Sequence, residues 1–311
     1  MSVTAARSSV AVVGLGSIGG CLAGCLLEAG RHDLVACTRR PIERLVFERN
    51  GTATAFALDS LTDPEAAGTV DWVLLCTKTH ETAAAGPWLR RLCGPETRVA
   101  VLQNGLGQRE RVAPFVGAAA VLPVLVYVNG ERLEPHRDRE ARVRLSQVAA
   151  QDLAAADTAE GRALAALFEG TALRVALSAD LTTLLWRKLL LNAAANPISA
   201  LARRRQAVFR RPDVQDLALA VLREAVAVGR AEGAALGEDE AERTLATLLG
   251  YPPETGTSMY FDALAGRGLE VEALTGALVA AGARHGVATP LNDALLTLLR
   301  ALGEGEAGGA A

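Results

Sequence analysis

Lys188, Asn192 and Asn196 recur at every fourth position of an otherwise apolar run, Leu185-Trp186-Arg187-Lys188-Leu189-Leu190-Leu191-Asn192-Ala193-Ala194-Ala195-Asn196-Pro197. Between Leu185 and Ala195 the only charged or amide side chains are Arg187, Lys188 and Asn192. On a helix, the lysine and the two asparagines fall within a stripe ~80° wide and ~12 Å long. An ammonium in such a stripe can give up a proton, and its pKa is adjustable as that of a guanidinium is not. Asparagines beside it can donate to and accept from a hydroxyl or a carbonyl without adding charge. A helix apolar on nearly every other side is expected to be buried, so the polar stripe must find partners or face a wet cleft. One reading is a reactive face. The other is a buried polar network that only fixes helix packing.

The choice of lysine is itself informative. Of 32 basic residues only Lys78 and Lys188 are lysine; the remaining 30 are arginine. Two residues must fall somewhere by chance, but these positions could also need a compact ammonium. A second motif, Gly14-Leu15-Gly16-Ser17-Ile18-Gly19, follows a strand-like run at 9–14 and opens a helix-like one at 19–29. In that setting GxGxxG permits a tight turn, close approach of backbone to a pyrophosphate, and an anion site at the helix N-terminus. About 20 residues further on, an acid selects NAD and an arginine accommodates a 2′-phosphate. Here the next strand ends in Thr38-Arg39-Arg40 with no acid. The pair is either a solvated couple or a reader of NADP(H), the latter being the better fit.

These residues need elements to position them. The first half alternates strand-like runs (9–14, 34–38, 70–77, 98–103, 121–128) with helix-like ones, including an amphipathic stretch around 87–92. That rhythm predicts an α/β fold, an N-terminal Rossmann-type doubly wound parallel sheet. The charged segment 130–147 reads as a hairpin or exposed loop. From about Ser178 the periodicity becomes helical, with runs at 180–202, 214–232, 239–249, 261–285 and 291–302. Breakers are expected at Asn196-Pro197, Pro212, Gly233, Pro252-Pro253 and Gly286. The expected organisation is a dinucleotide-binding domain over 1–177, an all-helical domain over 178–303, and a flexible low-complexity tail over 304–311.

Bulk properties narrow the function. A net charge of −3 argues against a nucleic-acid or membrane-surface partner, and 50% apolar residues imply a packed core. No run is long and apolar enough to span a bilayer. The first residues carry one arginine and no apolar export core, so a cytoplasmic protein is expected. The five cysteines (Cys21, Cys25, Cys37, Cys76, Cys93) lack metal-ligand or CxxC spacing and read as buried reduced thiols. His32, His80, His136 and His285 show no metal-ligand spacing, and no metal site is expected. No Ser/His/Asp nucleophile motif is present.

Taken in order, the motifs resemble those of the ketopantoate reductase (2-dehydropantoate 2-reductase) family. They are the GLGSIG turn, Arg39, Cys76-Thr77-Lys78, Gln103-Asn104-Gly105-Leu106-Gly107, LWRKLLLNAAANPISAL, and Thr257-Ser258-Met259 with Glu270 twelve residues after Ser258. The resemblance runs from Val10 to about Leu302. It implies an NADPH-dependent enzyme that reduces a small 2-oxo acid in the route to pantothenate. It makes Lys188 the proton donor to the carbonyl oxygen as hydride arrives, and Glu270 the acidic partner near cofactor and substrate. Asn104, Asn192, Asn196 and Ser258 look like the groups that hold substrate hydroxyl and carboxylate. Gly14, Leu15, Gly16, Ser17, Ile18, Gly19, Arg39, Lys78, Asn104 and Glu270 look like cofactor-side positions. Hydride addition to a ketone builds an alkoxide, and a positioned ammonium can protonate it, typically worth ~10²–10⁴ in rate.

Departures bear on the substrate. Pro135-His136 stands where family members often carry a glycine after the proline, and Arg203-Arg204-Arg205-Gln206 follows the NPISAL stretch. Gln206 occupies a position where well-known members can offer an asparagine. Glu272 is a rival to Glu270, selected against only by spacing. Alternatives are a paralogous reductase of another 2-oxo acid or biosynthetic ketone, a 3-hydroxy-acid dehydrogenase of the same broad superfamily, and a nucleotide-binding regulator without turnover. Retention of Lys188 and Glu270 argues against the regulator, and Ser258 with Glu270 against the hydroxy-acid dehydrogenase. Oligomeric state is left open, an isologous homodimer through the helical domain being compatible with the chain.

Overall fold

The computed structural model describes residues 7–133, 139–146 and 152–307. The described chain forms two compact units. One runs to Ala179 apart from Gly105–Gly107; the other holds those three residues together with the chain from Asp180 onward.

In the first unit β1 (Ser9–Val13), α1 (Ser17–Ala29) and β2 (Asp33–Cys37) are followed by β3 (Arg44–Arg49), β4 (Thr52–Ala57), β5 (Asp59–Leu61) and β6 (Trp72–Leu75). Then come α2 (Thr82–Leu92), β7 (Arg98–Val101), α3 (Gln108–Val116), β8 (Ala120–Pro123) and β9 (Leu125–Val126). The unit closes with β10 (Asn129–Arg132), β11 (Glu140–Ser146), β12 (Leu153–Ala156), α4 (Ala159–Leu167) and β13 (Val175–Ser178). Six strands make a parallel sheet in the order β5-β2-β1-β6-β7-β8. Because β1 is central, it is apolar on both faces. Val10 and Val12 join one core cluster, while Ala11 and Val13 join the other. The strand order reverses at β1, with β2 and β5 on one side and β6, β7 and β8 on the other. The carboxyl end of β1 is therefore the switch point at which this architecture binds ligands.

A second sheet, β10-β11-β3-β4, departs from expectation. Strands β10 and β11 do pair as a hairpin, but β11 is an interior strand, also paired in parallel with β3, and not an exposed loop. Its Ala141, Val143 and Leu145 are buried, while the intervening Arg144 bonds Glu48 and Glu131. Charge on one face concealed the period-two pattern. Pro135 and His136 lie outside the described residues. Strand β9 belongs to a third sheet, β13-β12-β9, so the single strand expected over 121–128 is divided at Val124.

The second unit is helical: α5 (Leu181–Ala202), α6 (Pro212–Ala231), α7 (Glu240–Gly250), α8 (Ser258–Leu264), a π-helical turn (Glu272–Gly276), α9 (Ala277–His285) and α10 (Pro290–Ala307). Its core gathers around α5, which packs against α6, α7, α8 and α10. Asn196-Pro197 does not break α5, which continues to Ala202 although Pro197 contributes no N–H to the ladder. The helix expected over 261–285 is interrupted between Leu264 and the π-turn, where Gly266 takes a left-handed φ of 61°. Helix α10 reaches Ala307, into the stretch expected to be tail; residues 308–311 lie outside those described. Among the described residues no helix is long and apolar enough to cross a membrane. All five cysteines are free, Cys21, Cys25 and Cys37 buried and the other two part-buried.

Candidate active site

At the carboxyl end of β1 the glycines meet distinct constraints. Gly14 has φ 94°, and a Cβ there would lie 2.9 Å from the Thr77 amide nitrogen. A Cβ on Gly19 would lie 2.1 Å from the Gly14 carbonyl oxygen and 3.0 Å from Cys76 Cβ. The turn is thus pressed against Cys76-Thr77 after β6. Gly16, by contrast, faces open space and is the N-cap of α1 with no side-chain cap, and no acid occupies the first helical turn. Ser17, Ile18 and Gly19 carry first-turn N–H groups that have no partner within the helix, and the dipole adds positive potential there. Leu15 is buried beneath the turn, whereas Ser17 and Ile18 are part-buried. A pyrophosphate fits this cradle.

Arg39 lies just past β2 with its side chain 92% exposed, its Nη1 3.4 Å from Glu81 Oε1. An ion pair so exposed contributes little and leaves the guanidinium available. Lys78 is part-buried and precedes the short 3-10 turn Thr79–Glu81. Asn104 is part-buried, directly after the buried Gln103. Gln103 is a residue whose role the sequence did not disclose. Its Nε2 donates to Thr82 Oγ1 at 2.8 Å and to the Thr77 carbonyl at 3.2 Å. Its Oε1 accepts from Arg111 Nη1 at 3.1 Å, and its backbone carbonyl accepts from Gln108 Nε2 at 2.6 Å. Gln103 therefore ties the loop after β7 to the Cys76-Thr77-Lys78 loop. In sequence it stands out only as the first residue of the Gln103-Asn104-Gly105-Leu106-Gly107 motif, at the end of an apolar strand-like run.

In the helical unit Lys188, Asn192 and Asn196 lie on α5, the first two part-buried and Asn196 buried. Burial pulls the Lys188 ammonium down to about 8, against the opposing pull of the Glu270 carboxylate. Glu270 is 7% exposed, just before the π-turn. Glu272 is spent elsewhere, paired through both oxygens with Arg300 at 2.7 and 2.8 Å. Neighbouring Arg187 is likewise committed, to the buried Glu240 at 3.0 and 3.3 Å.

Ser258 is exposed at the first position of α8. Thr257 before it caps α8, its Oγ1 accepting from the Tyr260 amide at 3.1 Å, and lies 2.9 Å from Ser199 Oγ on α5. Gln206 is buried, its Nε2 donating to the Leu248 carbonyl at 2.7 Å and its backbone N–H to the Thr255 carbonyl at 2.9 Å. Leu106 donates its N–H to the Ala273 carbonyl in the π-turn at 3.1 Å.

The strand order and the glycine turn define the doubly wound dinucleotide-binding class. Residues 10–148 match the family described as Ketopantoate reductase PanE/ApbA, and residues 180–303 match its C-terminal part. The chain is 37% identical over 297 residues to the 2-dehydropantoate 2-reductase of Caulobacter vibrioides, covering 94% of this chain and 99% of that protein. It is 38% identical over 300 residues to the 2-dehydropantoate 2-reductase of Mycobacterium tuberculosis, covering 96% and 99%. A solved structure of the dimeric ketopantoate reductase of Staphylococcus aureus superposes with a TM-score of 0.83 at 27% identity, covering 96% of this chain and 99% of that one. The chain belongs to the ketopantoate reductase family and is an oxidoreductase.

Proposed function

We propose that this chain reduces 2-dehydropantoate (ketopantoate) to pantoate with NADPH, with Lys188 as the proton donor. The observation that carries the reading is Lys188 itself, a lysine in an arginine-rich chain, drawn toward neutrality by burial and balanced by Glu270. A donor whose pKa lies near the working pH is both protonated and able to let its proton go.

The Gly14–Gly19 cradle would hold the cofactor's pyrophosphate, and Arg39 its 2′-phosphate, with Lys78 and Asn104 as further cofactor-side groups. Bound reduced nicotinamide would supply the hydride. Lys188 Nζ gives its proton to the oxygen of the former carbonyl, and Glu270 keeps that ammonium charged until it is needed. Asn192, Asn196, Ser258 and Asn104 orient the substrate through its hydroxyl, carbonyl and carboxylate. The reading includes a cytoplasmic location, favoured by the five free thiols. It also includes a homodimer, favoured by the dimeric relative from Staphylococcus aureus.

A second reading keeps the chemistry and changes the 2-oxo acid. It is favoured by Gln206, whose amide is spent on the Leu248 carbonyl. The deciding experiment follows NADPH oxidation by purified protein with ketopantoate, with 2-oxoisovalerate and without substrate, repeated with NADH. Fast turnover confined to ketopantoate and NADPH supports the first reading. Faster turnover of another oxo acid transfers support to the second, and equal use of NADH removes Arg39 as a selector.

A further inference from the structure

Two residues proposed to hold substrate, Asn196 and Ser258, lie on different elements, and something must fix one relative to the other. Asn196 sits on α5 directly before Pro197, where the proline withholds an N–H from the helical ladder. Ser199, with no exposed surface, braces that turn, its Oγ donating to the Ala195 carbonyl at 2.5 Å and lying 3.4 Å from the Asn196 carbonyl. The same oxygen lies 2.9 Å from Thr257 Oγ1, directly before Ser258.

The donors and acceptors along this path fix its direction. A hydroxyl has one proton, and that of Ser199 goes to the Ala195 carbonyl. The Thr257 hydroxyl therefore donates to Ser199 Oγ, while Thr257 Oγ1 accepts from the Tyr260 amide. A closed chain runs from the first turn of α8 through two hydroxyls into the backbone that carries Asn196. The surrounding loop is pinned separately by Gln206 through the carbonyls of Leu248 and Thr255 and by the Ala207 N–H through that of Pro253. Removing the hydroxyl pair would thus release Ser258 from Asn196 without freeing the whole segment.

We infer that Ser199 and Thr257 are positioning residues that hold the Ser258 hydroxyl in register with the Asn196 amide for the bound 2-oxo acid. The inference rests on the reading above that these two groups hold substrate. Neither Ser199 nor Thr257 touches substrate in this scheme, so their loss acts on substrate affinity and leaves the proton donor and cofactor cradle intact.

The test measures kcat, the KM for ketopantoate and the Kd for NADPH in Ser199→Ala, Thr257→Val and the double variant, with Ser199→Thr and Thr257→Ser as rescues. Losing one such bond is expected to raise KM about 5- to 10-fold. The expected pattern keeps kcat within about twofold, NADPH affinity unchanged, and the double variant no worse than the worse single, the signature of a shared interaction. Thr257→Ser keeps hydroxyl and cap and should restore KM even if Ser199→Thr crowds its buried site. Unchanged KM, strictly additive effects, or a parallel loss of NADPH affinity overturns the inference alone. Wild-type protein that reduces no 2-oxo acid in the panel overturns the parent reading, and this inference with it.

Discussion

Lys188 and Glu270 are electrostatic partners in the helical unit, the buried carboxylate holding up an ammonium that burial pulls down to about 8. Lys188 must carry its proton in order to give it, so turnover should fall as pH rises through about 8. Glu270→Gln removes the charge that supports the ammonium and should move this alkaline limb to lower pH. A pH profile of kcat in wild type and variant checks it, and coincident limbs would separate Glu270 from the donor. Stability carries the same signature. The folded chain lets this proton go near 8 whereas the unfolded lysine keeps it to about 10.5, so between those values the unfolded state binds more protons. The contribution of Lys188 to stability therefore rises with pH across that window and is least favourable below it.

Lys188→Arg preserves charge and forfeits the transferable proton. A guanidinium stays protonated throughout the working range, so it can stabilise an alkoxide but not neutralise it. Turnover should fall by ~10²–10⁴, with NADPH affinity near that of wild type because the proposed cradle is the glycine turn between β1 and α1, in the α/β unit. Cofactor fluorescence titration beside steady-state kinetics separates the two effects. Turnover equal to wild type would remove Lys188 as the donor.

How much of this was legible in sequence depended on whether the signal was local. The central strand β1, the glycine turn and the polar stripe of α5 were readable because burial and period are written in adjacent residues. The hairpin β3–β4 was overlooked although Asn50-Gly51, with φ of 52° and 77°, forms the two-residue turn that joins such strands. Its flanks mix Arg44, Glu48 and Arg49 with apolar residues, and their partner β11 is remote in sequence. The choice between Glu270 and Glu272 rested on spacing in a family pattern; only the fold commits Glu272 to Arg300. The Ser199–Thr257 contact joins residues 58 apart, and no local pattern foretells it.

Arg39 offers a test of cofactor choice. Its guanidinium is solvent-exposed and only loosely paired with Glu81, so it can close on a phosphate without breaking a buried contact. Arg39→Ala should weaken NADPH about 10- to 100-fold, the worth of a charge-assisted contact, and leave NADH almost unchanged. Parallel titrations with the two cofactors check this. An equal effect on both would mean that Arg39 does not read the 2′-phosphate.

Gly105 is held more tightly than its motif alone suggests. It takes φ 84°, and a Cβ there would lie 1.9 Å from the Ala273 carbonyl oxygen, which also accepts the Leu106 N–H. Gly105→Ala must either strain that backbone or push the π-turn away and lose the Leu106 bond. Gly286→Ala is the matched control, because Gly286 has φ 65° at the end of α9 but no atom within 4 Å of the added carbon. The control should cost about 1 kcal/mol, the conformational term alone. Gly105→Ala should cost about 2–4 kcal/mol in all, adding a lost hydrogen bond and local strain. Because the π-turn follows Glu270, the Gly105 variant should also lose turnover while the control does not. Urea unfolding beside kcat decides the matter: equal destabilisation of the two variants would show that the π-turn yields freely to the methyl group.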